Sequence, residues 1–217
     1  MKNQLTILAF SVSALMAACN GDTGPTGPDD MSETSVSPAA GPAGDPVMVT
    51  PYDRAGDVRN ISGVYSSDSN NPWGGGPHSG IDFHTRENLR PFQAVFSGTI
   101  GTVELWQNDI NGLWQVDVTI VYNSNYSAYY AFEPMTGARA DGQTQMNNIL
   151  VSVGQSVSSG DVIGNLFNSG EGAHVHWGLF DDANFTDICP EPFFNDAARN
   201  SIMNIIHRDN PDWEMCY

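Results

Sequence analysis

The stretch Gly172-Ala173-His174-Val175-His176-Trp177-Gly178 reads as a β-strand carrying two histidines two residues apart. Successive strand side chains alternate between faces, so His174 and His176 share one face and Val175 takes the other. Two imidazoles aimed at one place fit a metal site, or a metal ligand beside a general base; the plainer alternative is a solvated strand face. Residues able to complete such a site stand far upstream, in His78-Ser79-Gly80-Ile81-Asp82. A catalytic zinc takes three protein ligands, from imidazole nitrogen and carboxylate oxygen among others, and keeps one position open. His78, Asp82 and one of the two later histidines supply that set. Gly80 is expected to let the chain bend between the first two. An H-E-x-x-H helix, the zincin arrangement, is absent from the sequence. Seen alone, His78 and Asp82 read equally well as a turn with a local hydrogen bond.

Outward from this strand the chain is short apolar pieces punctuated by turn residues. Phe92 to Leu105 alternates apolar and small residues, as bent or bulged strands do. Trp114 to Tyr122 is a strong strand, with Asn108 to Gly112 as the hairpin turn before it, and Tyr126 to Phe132 is a further strand. Asn148 to Val153 reads as another, followed by glycine turns at Gly154 and Gly160 leading to Ile163-Gly164. Asn71 to Pro77 is a loop that delivers His78. Only the tail has helical spacing: Ala198, Ile202, Ile205 and Ile206 share one face between about Asp196 and His207. The fold class is mainly antiparallel β, with one C-terminal helix.

The chain has 217 residues, a formal charge of −17 and only eight lysines and arginines. That excludes nucleic acid, whose phosphates need cationic partners, and a membrane surface held through basic residues. Residues 1–18 have the form of a signal peptide: Lys2, then an apolar run from Leu5 to Ala18 too short to span a bilayer stably. Leu15-Met16-Ala17-Ala18-Cys19 resembles the lipobox of bacterial lipoproteins, in which the cysteine is lipidated and becomes the mature N-terminus. Met16 stands where that pattern prefers leucine, and an ordinary cleaved secretory signal is the alternative. Residues 19–47 are rich in Gly, Pro, Ser and Asp and nearly free of large apolar side chains, so they form a linker, with the folded domain over 48–217. With Cys19 assigned to lipid, Cys189 and Cys216 remain. An oxidising compartment would let them form a disulfide that pins the tail; two free thiols are the alternative.

His78-Ser-Gly80-Ile-Asp82, Tyr130-Ala-Phe132, Gly154-Gln-Ser-Val-Ser-Ser-Gly160-Asp-Val-Ile-Gly164 and His174-Val-His176, in this order over about residues 75–180, resemble the lysostaphin-type or β-lytic zinc metallopeptidases. The resemblance implies an antiparallel sheet or sandwich of the duplicated hybrid motif type, a groove with one Zn2+ at its floor, and hydrolysis of peptide bonds in peptidoglycan. It makes His78, Asp82 and His176 the zinc ligands and His174 the catalytic general base or electrophilic helper. The lipobox resemblance implies a cell-envelope protein, touching the membrane only through lipid on Cys19. Phe132 stands where that family carries a second catalytic histidine, in Tyr-x-His. Phenylalanine can neither donate to an oxyanion nor carry a proton, and losing one such donor costs about a hundred- to a thousandfold in rate. On this reading Tyr130 shares the face of position 132 and could donate instead, Glu133 points away, and Phe132→His should raise the rate. His84, on Asp82's strand face, reads as a partly exposed strand residue, and His207 as a surface histidine.

Two functions follow: a zinc endopeptidase acting on peptidoglycan, or a catalytically impaired relative that binds cell-wall peptides or regulates a partner hydrolase. The kept ligand set favours the first and Phe132 the second. A lipoyl- or biotinyl-type carrier, which the glycine segment alone would allow, is excluded because no lysine follows Lys2.

Overall fold

The computed structural model describes residues 43–217 except Asn70. The leader, Cys19 and the linker up to residue 42 lie outside the described residues. In chain order the elements are β1 (Val58–Ile61), β2 (Ile81–Thr85), β3 (Arg90–Gln93), β4 (Gly98–Gln107), β5 (Trp114–Val121), β6 (Tyr126–Thr136), α1 (Arg139–Asn147), β7 (Ser156–Val157), β8 (Val162–Leu166), β9 (His174–Asp181), β10 (Thr186–Ile188) and α2 (Asp196–Asp209). One antiparallel sheet runs β1-β2-β9-β6-β5-β4-β7, with β10 also paired to β9; β3 and β8 form a separate ribbon.

The two faces of the large sheet differ because its strands alternate. Val116, Val118 and Ile120 of β5, Ala128, Tyr130 and Phe132 of β6, and Val175, Trp177 and Leu179 of β9 are buried on one face. Each such large side chain contributes roughly 1.5–3 kcal/mol on leaving water. The opposite face carries Asp82, Asp117, Glu133, His174 and His176, which line a groove.

Two elements differ from the sequence expectation. Asn148 to Val153 is not a strand: it makes one bridge, Ile149 to Gly164, and then turns at Gly154, whose φ is +82°. Only Val151 of its apolar residues is deeply buried, whereas Leu150 and Val153 stay exposed, so the run never joins a ladder. The second difference is α1, a helix with no apolar stripe. It is held by the side chain of buried Gln145, which donates to the Asn165 carbonyl at 3.0 Å and accepts from Phe167 N–H at 2.7 Å.

The tail matches its pattern. In α2 the buried residues are Ala198, Ile202, Ile205 and Ile206, and Asn195 caps its start by accepting from Ala198 N–H at 2.8 Å. Beyond α2, Cys216 is disulfide-bonded to Cys189, with Cα atoms 5.8 Å apart. The tail then runs beside residues 65–67: Tyr217 N–H donates to the Tyr65 carbonyl, and Ser67 N–H to the Tyr217 carbonyl, each at 2.9 Å.

Candidate metal centre

Strand register brings the distant residues together. β2 pairs with β9 so that Asp82 faces His176 and His84 faces His174. β9 pairs with β6 so that His176 faces Ala131 and His174 faces Glu133. His78 precedes β2 and is fixed by Ser66: Ser66 N–H donates to the His78 carbonyl and His78 N–H to the Ser66 carbonyl, both at 2.9 Å. Donor atoms of His78, Asp82 and His176 all lie within 4.8 Å of one another. They stand in a groove of about 530 Å3 whose lining also includes Asp117, Tyr129, Glu133, His174 and Asp187.

The hydrogen bonds set the tautomers. His78 Nδ1 sits 2.9 Å from the Val64 carbonyl, and His174 Nδ1 sits 2.7 Å from the Gly172 carbonyl. A carbonyl only accepts, so each Nδ1 carries the hydrogen and each neutral ring turns the lone pair of Nε2 into the groove. His78 Nε2 then faces Asp82 Oδ2 at 3.2 Å, an acceptor against an acceptor unless a proton or a cation lies between them. His176 Nδ1 donates to Asp82 Oδ1 at 2.8 Å, and its ring stacks on Tyr129.

Space is kept open beside these atoms. A Cβ on Gly63 would come within 2.8 Å of both Asp82 Oδ2 and His78 Cε1, and one on Gly80 within 3.0 Å of His176 Nε2 and 2.2 Å of the Trp177 carbonyl. Gly80 therefore serves close approach to β9, not a bend between ligands. Two imidazoles, one carboxylate and a cleared space between them fit Zn2+.

The electrostatics follow from burial and pairing. Burial alone would raise the Asp82 carboxyl, but hydrogen bonds from His176 and His78 and the charge of His174 hold it well below the usual carboxylate range. Burial pulls the His78 imidazole down, and Asp82 with the Val64 carbonyl more than reverses this, leaving it above its ordinary value. Burial pushes Glu133 up, against the opposing influence of His174 and His176.

Three expectations about β6 are corrected. Phe132 is not at the site: it is fully buried on the core face, edge-on to Phe92 at 5.8 Å. Tyr130 is on that same face, donating to the Gln93 carbonyl and accepting from Val95 N–H, each at 3.0 Å. Glu133 does face away from Phe132, and that direction is the groove; its Oε2 is 3.8 Å from His174 Nε2. The groove-facing residues of β6 are thus Tyr129, Ala131 and Glu133. His84 is also buried, not partly exposed, with Nε2 2.7 Å from Ser62 Oγ and Nδ1 3.1 Å from the Ala173 carbonyl. Its ring lies 5.0 Å from that of His174, outside the three-donor cluster. His207 is exposed, on α2.

The family model for Peptidase family M23 matches residues 76–188. No curated protein matches the chain. Similar solved structures include a zinc containing peptidase from Vibrio cholerae, 22% identical, covering 66% of this chain and 39% of that one with a TM-score of 0.46. A putative peptidase M23 from Pseudomonas aeruginosa is 18% identical, with 71% and 52% covered and a TM-score of 0.47. Lysostaphin in solution is 21% identical, with 69% and 56% covered and a TM-score of 0.47. This chain thus spans less than two thirds of the length of each of these relatives. The matched segment is more than half of the sequence and holds β2, β6 and β9, the three strands that build the groove floor; on that ground the chain belongs to Peptidase family M23, whose members are generally zinc metallopeptidases acting on peptidoglycan.

Proposed function

We propose that this chain is a zinc-dependent endopeptidase that hydrolyses peptide bonds of peptidoglycan, with His78, Asp82 and His176 as the metal ligands. The observation that carries the reading is the convergence of those three donors, within 4.8 Å, on a groove floor cleared by Gly63 and Gly80. Zinc bound there would supply Lewis acidity, polarising a carbonyl and making a water more acidic. The protein's own groups do the rest. The Val64 carbonyl fixes the His78 ring. Asp82 receives the His176 N–H. His174 turns Nε2 towards the groove, where it can donate to a developing oxyanion once protonated.

Metal analysis of the purified protein tests the site: about one zinc per chain in wild type and its loss in His176→Ala are expected, and wild type without stoichiometric zinc would sink the reading. Digestion of purified cell wall tests the reaction: peptides released by wild type and not by His174→Ala are expected. A binding or regulatory role is the second reading. It is favoured by the absence of a second groove-facing histidine on β6, and equal, zero release by both proteins would select it.

The leader and Cys19 support a lipid-anchored protein of the cell envelope, and the Cys189–Cys216 bridge suits an oxidising compartment. Wild type should label with radioactive palmitate and sediment with membranes; Cys19→Ser should do neither. Labelling of both alike would refute lipidation at that residue.

A further inference from the structure

The groove has three ligands and one free histidine, yet hydrolysis of a peptide bond also needs a group that takes a proton from water and returns it to the leaving nitrogen. Most groove side chains are already committed. Tyr129 O–H donates to the Ser79 carbonyl at 2.9 Å. Asp117 accepts Trp106 Nε1–H at 2.7 Å on one oxygen and Gln115 Nε2–H at 3.0 Å on the other. Asp187 reaches the groove from β10 and shares the Tyr129 hydroxyl as its hydrogen-bond partner. Ala131 has no functional group.

Glu133 is different. It lies opposite His174 in the β6–β9 ladder, and its carboxylate has no lysine or arginine partner among the described residues; its one ion-pair contact is His174 Nε2 at 3.8 Å. His174 Nε2 is also 3.7 Å from Asp82 Oδ1, so this one nitrogen stands within 4 Å of both Glu133 and a ligand carboxylate. The strand is deformed at this point. Trp114 pairs with Thr136 and Val116 with Phe132, so three β6 residues, Glu133 to Met135, oppose the single residue Gln115. Within this bulge Met135 has φ +58°, a left-handed conformation that an unbranched, non-glycine residue adopts at a cost. Bulges are common next to active sites; Glu133 itself keeps the regular alternation of Tyr129 and Ala131 and the unbroken pairing with β9 up to the point where the bulge begins.

Resting on the peptidase reading above, we infer that Glu133 is a catalytic residue, the proton carrier of the hydrolysis. As the oxygen of the attacking water bonds to the scissile carbonyl carbon, a water proton passes to the Glu133 carboxylate. As the C–N bond breaks, Glu133 gives that proton to the departing amine nitrogen, so one water is consumed and a carboxylic acid and an amine leave. His174 Nε2 faces the carbonyl oxygen and does not carry the proton.

The test compares the full-length zinc-loaded protein with Glu133→Gln, which keeps size and groove position, and with Glu133→Ala, so that the answer does not hang on one variant folding. Zinc content should be unchanged in both, while peptide release from purified cell wall falls at least about a hundredfold. The second readout needs no turnover. Calorimetric binding of a phosphinate pseudopeptide, in buffers of different ionisation enthalpy, should show uptake of about one proton by wild type and none by the variants, because Glu133 would hold it against a phosphinyl oxygen. Proton uptake that is equal in wild type and variants, none in any included, overturns the inference. So does release within about threefold of wild type, or loss of zinc from the variants alone. Absence of zinc from wild type would instead sink the peptidase reading, and this inference with it.

Discussion

Phe132 shows how one position of strand parity decides a functional statement. Its ring is fully buried and edge-on to Phe92 in the core. Phe132→His should therefore give no gain of rate. It should cost about 3 kcal/mol or more, since a polar ring would replace core packing and find no partner there; urea denaturation measures this. The parity was legible in the sequence. Glu133 cannot sit on the core side of a strand whose neighbours are Tyr130 and Phe132, so the charged position marks the groove face and Phe132 the other. The Tyr-x-His resemblance at Tyr130-Ala-Phe132 runs against that alternation, and both aromatic rings lie on the core side. Gly63 is the opposite case, for nothing in its flanking residues announces a role. Its importance comes from the loop lying against His78 and Asp82. Gly63→Ala should weaken zinc binding about ten- to a hundredfold, by displacing ligand atoms, with little change in the melting temperature of the metal-free protein; a metal-chelator competition assay reads it.

At the level of elements, β2 against β9 is the pairing on which the centre depends, and His84 is its pH-sensitive part. Burial, with the nearby His174, brings the His84 imidazole down to about 4. A histidine lowered on folding binds its proton more readily in the unfolded chain, so stability falls as pH drops from about 6.5 towards 4. The limiting size is ~3 kcal/mol for a displacement of this order. His78 acts in a different window: its raised value gives stability that is complete below about 6.5 and fades as pH rises through its folded value. Chemical denaturation in EDTA should show the acid-side loss in wild type and a flatter curve in His84→Gln; identical slopes would refute the assignment. The long strands β4, β5 and β6 and the apolar stripe of α2 were readable because periodicity reports burial. Helix α1 was not, because it is held by the polar bonds of Gln145 and carries no stripe. Nor was the end of β6, where the bulge breaks the alternation that identifies a strand.

For the whole molecule, the histidine motifs were legible as residue types and spacing, while their meeting depended on a register that no local pattern encodes. The same holds for the connection from tail to centre. Cys189–Cys216 holds the tail, the tail pairs with Tyr65 and Ser67, and Ser66 between them pairs with His78. Trp73 adds a second contact, packing on His78, Trp213 and Tyr217 with ring centres 6.0, 5.2 and 6.2 Å apart. Replacing both cysteines by serine should cost about 2–4 kcal/mol. It should also lower zinc affinity, because the backbone that fixes His78 loses its support; an unchanged affinity would show that the strap and the ligand are independent. This strap also sets an order of assembly. His78 is made early in synthesis, yet its backbone partner is braced by residues made more than a hundred positions later and by a bond that needs oxidation. A nascent or still-reduced chain would hold a metal poorly, so full loading belongs to the finished chain with its Cys189–Cys216 bond closed.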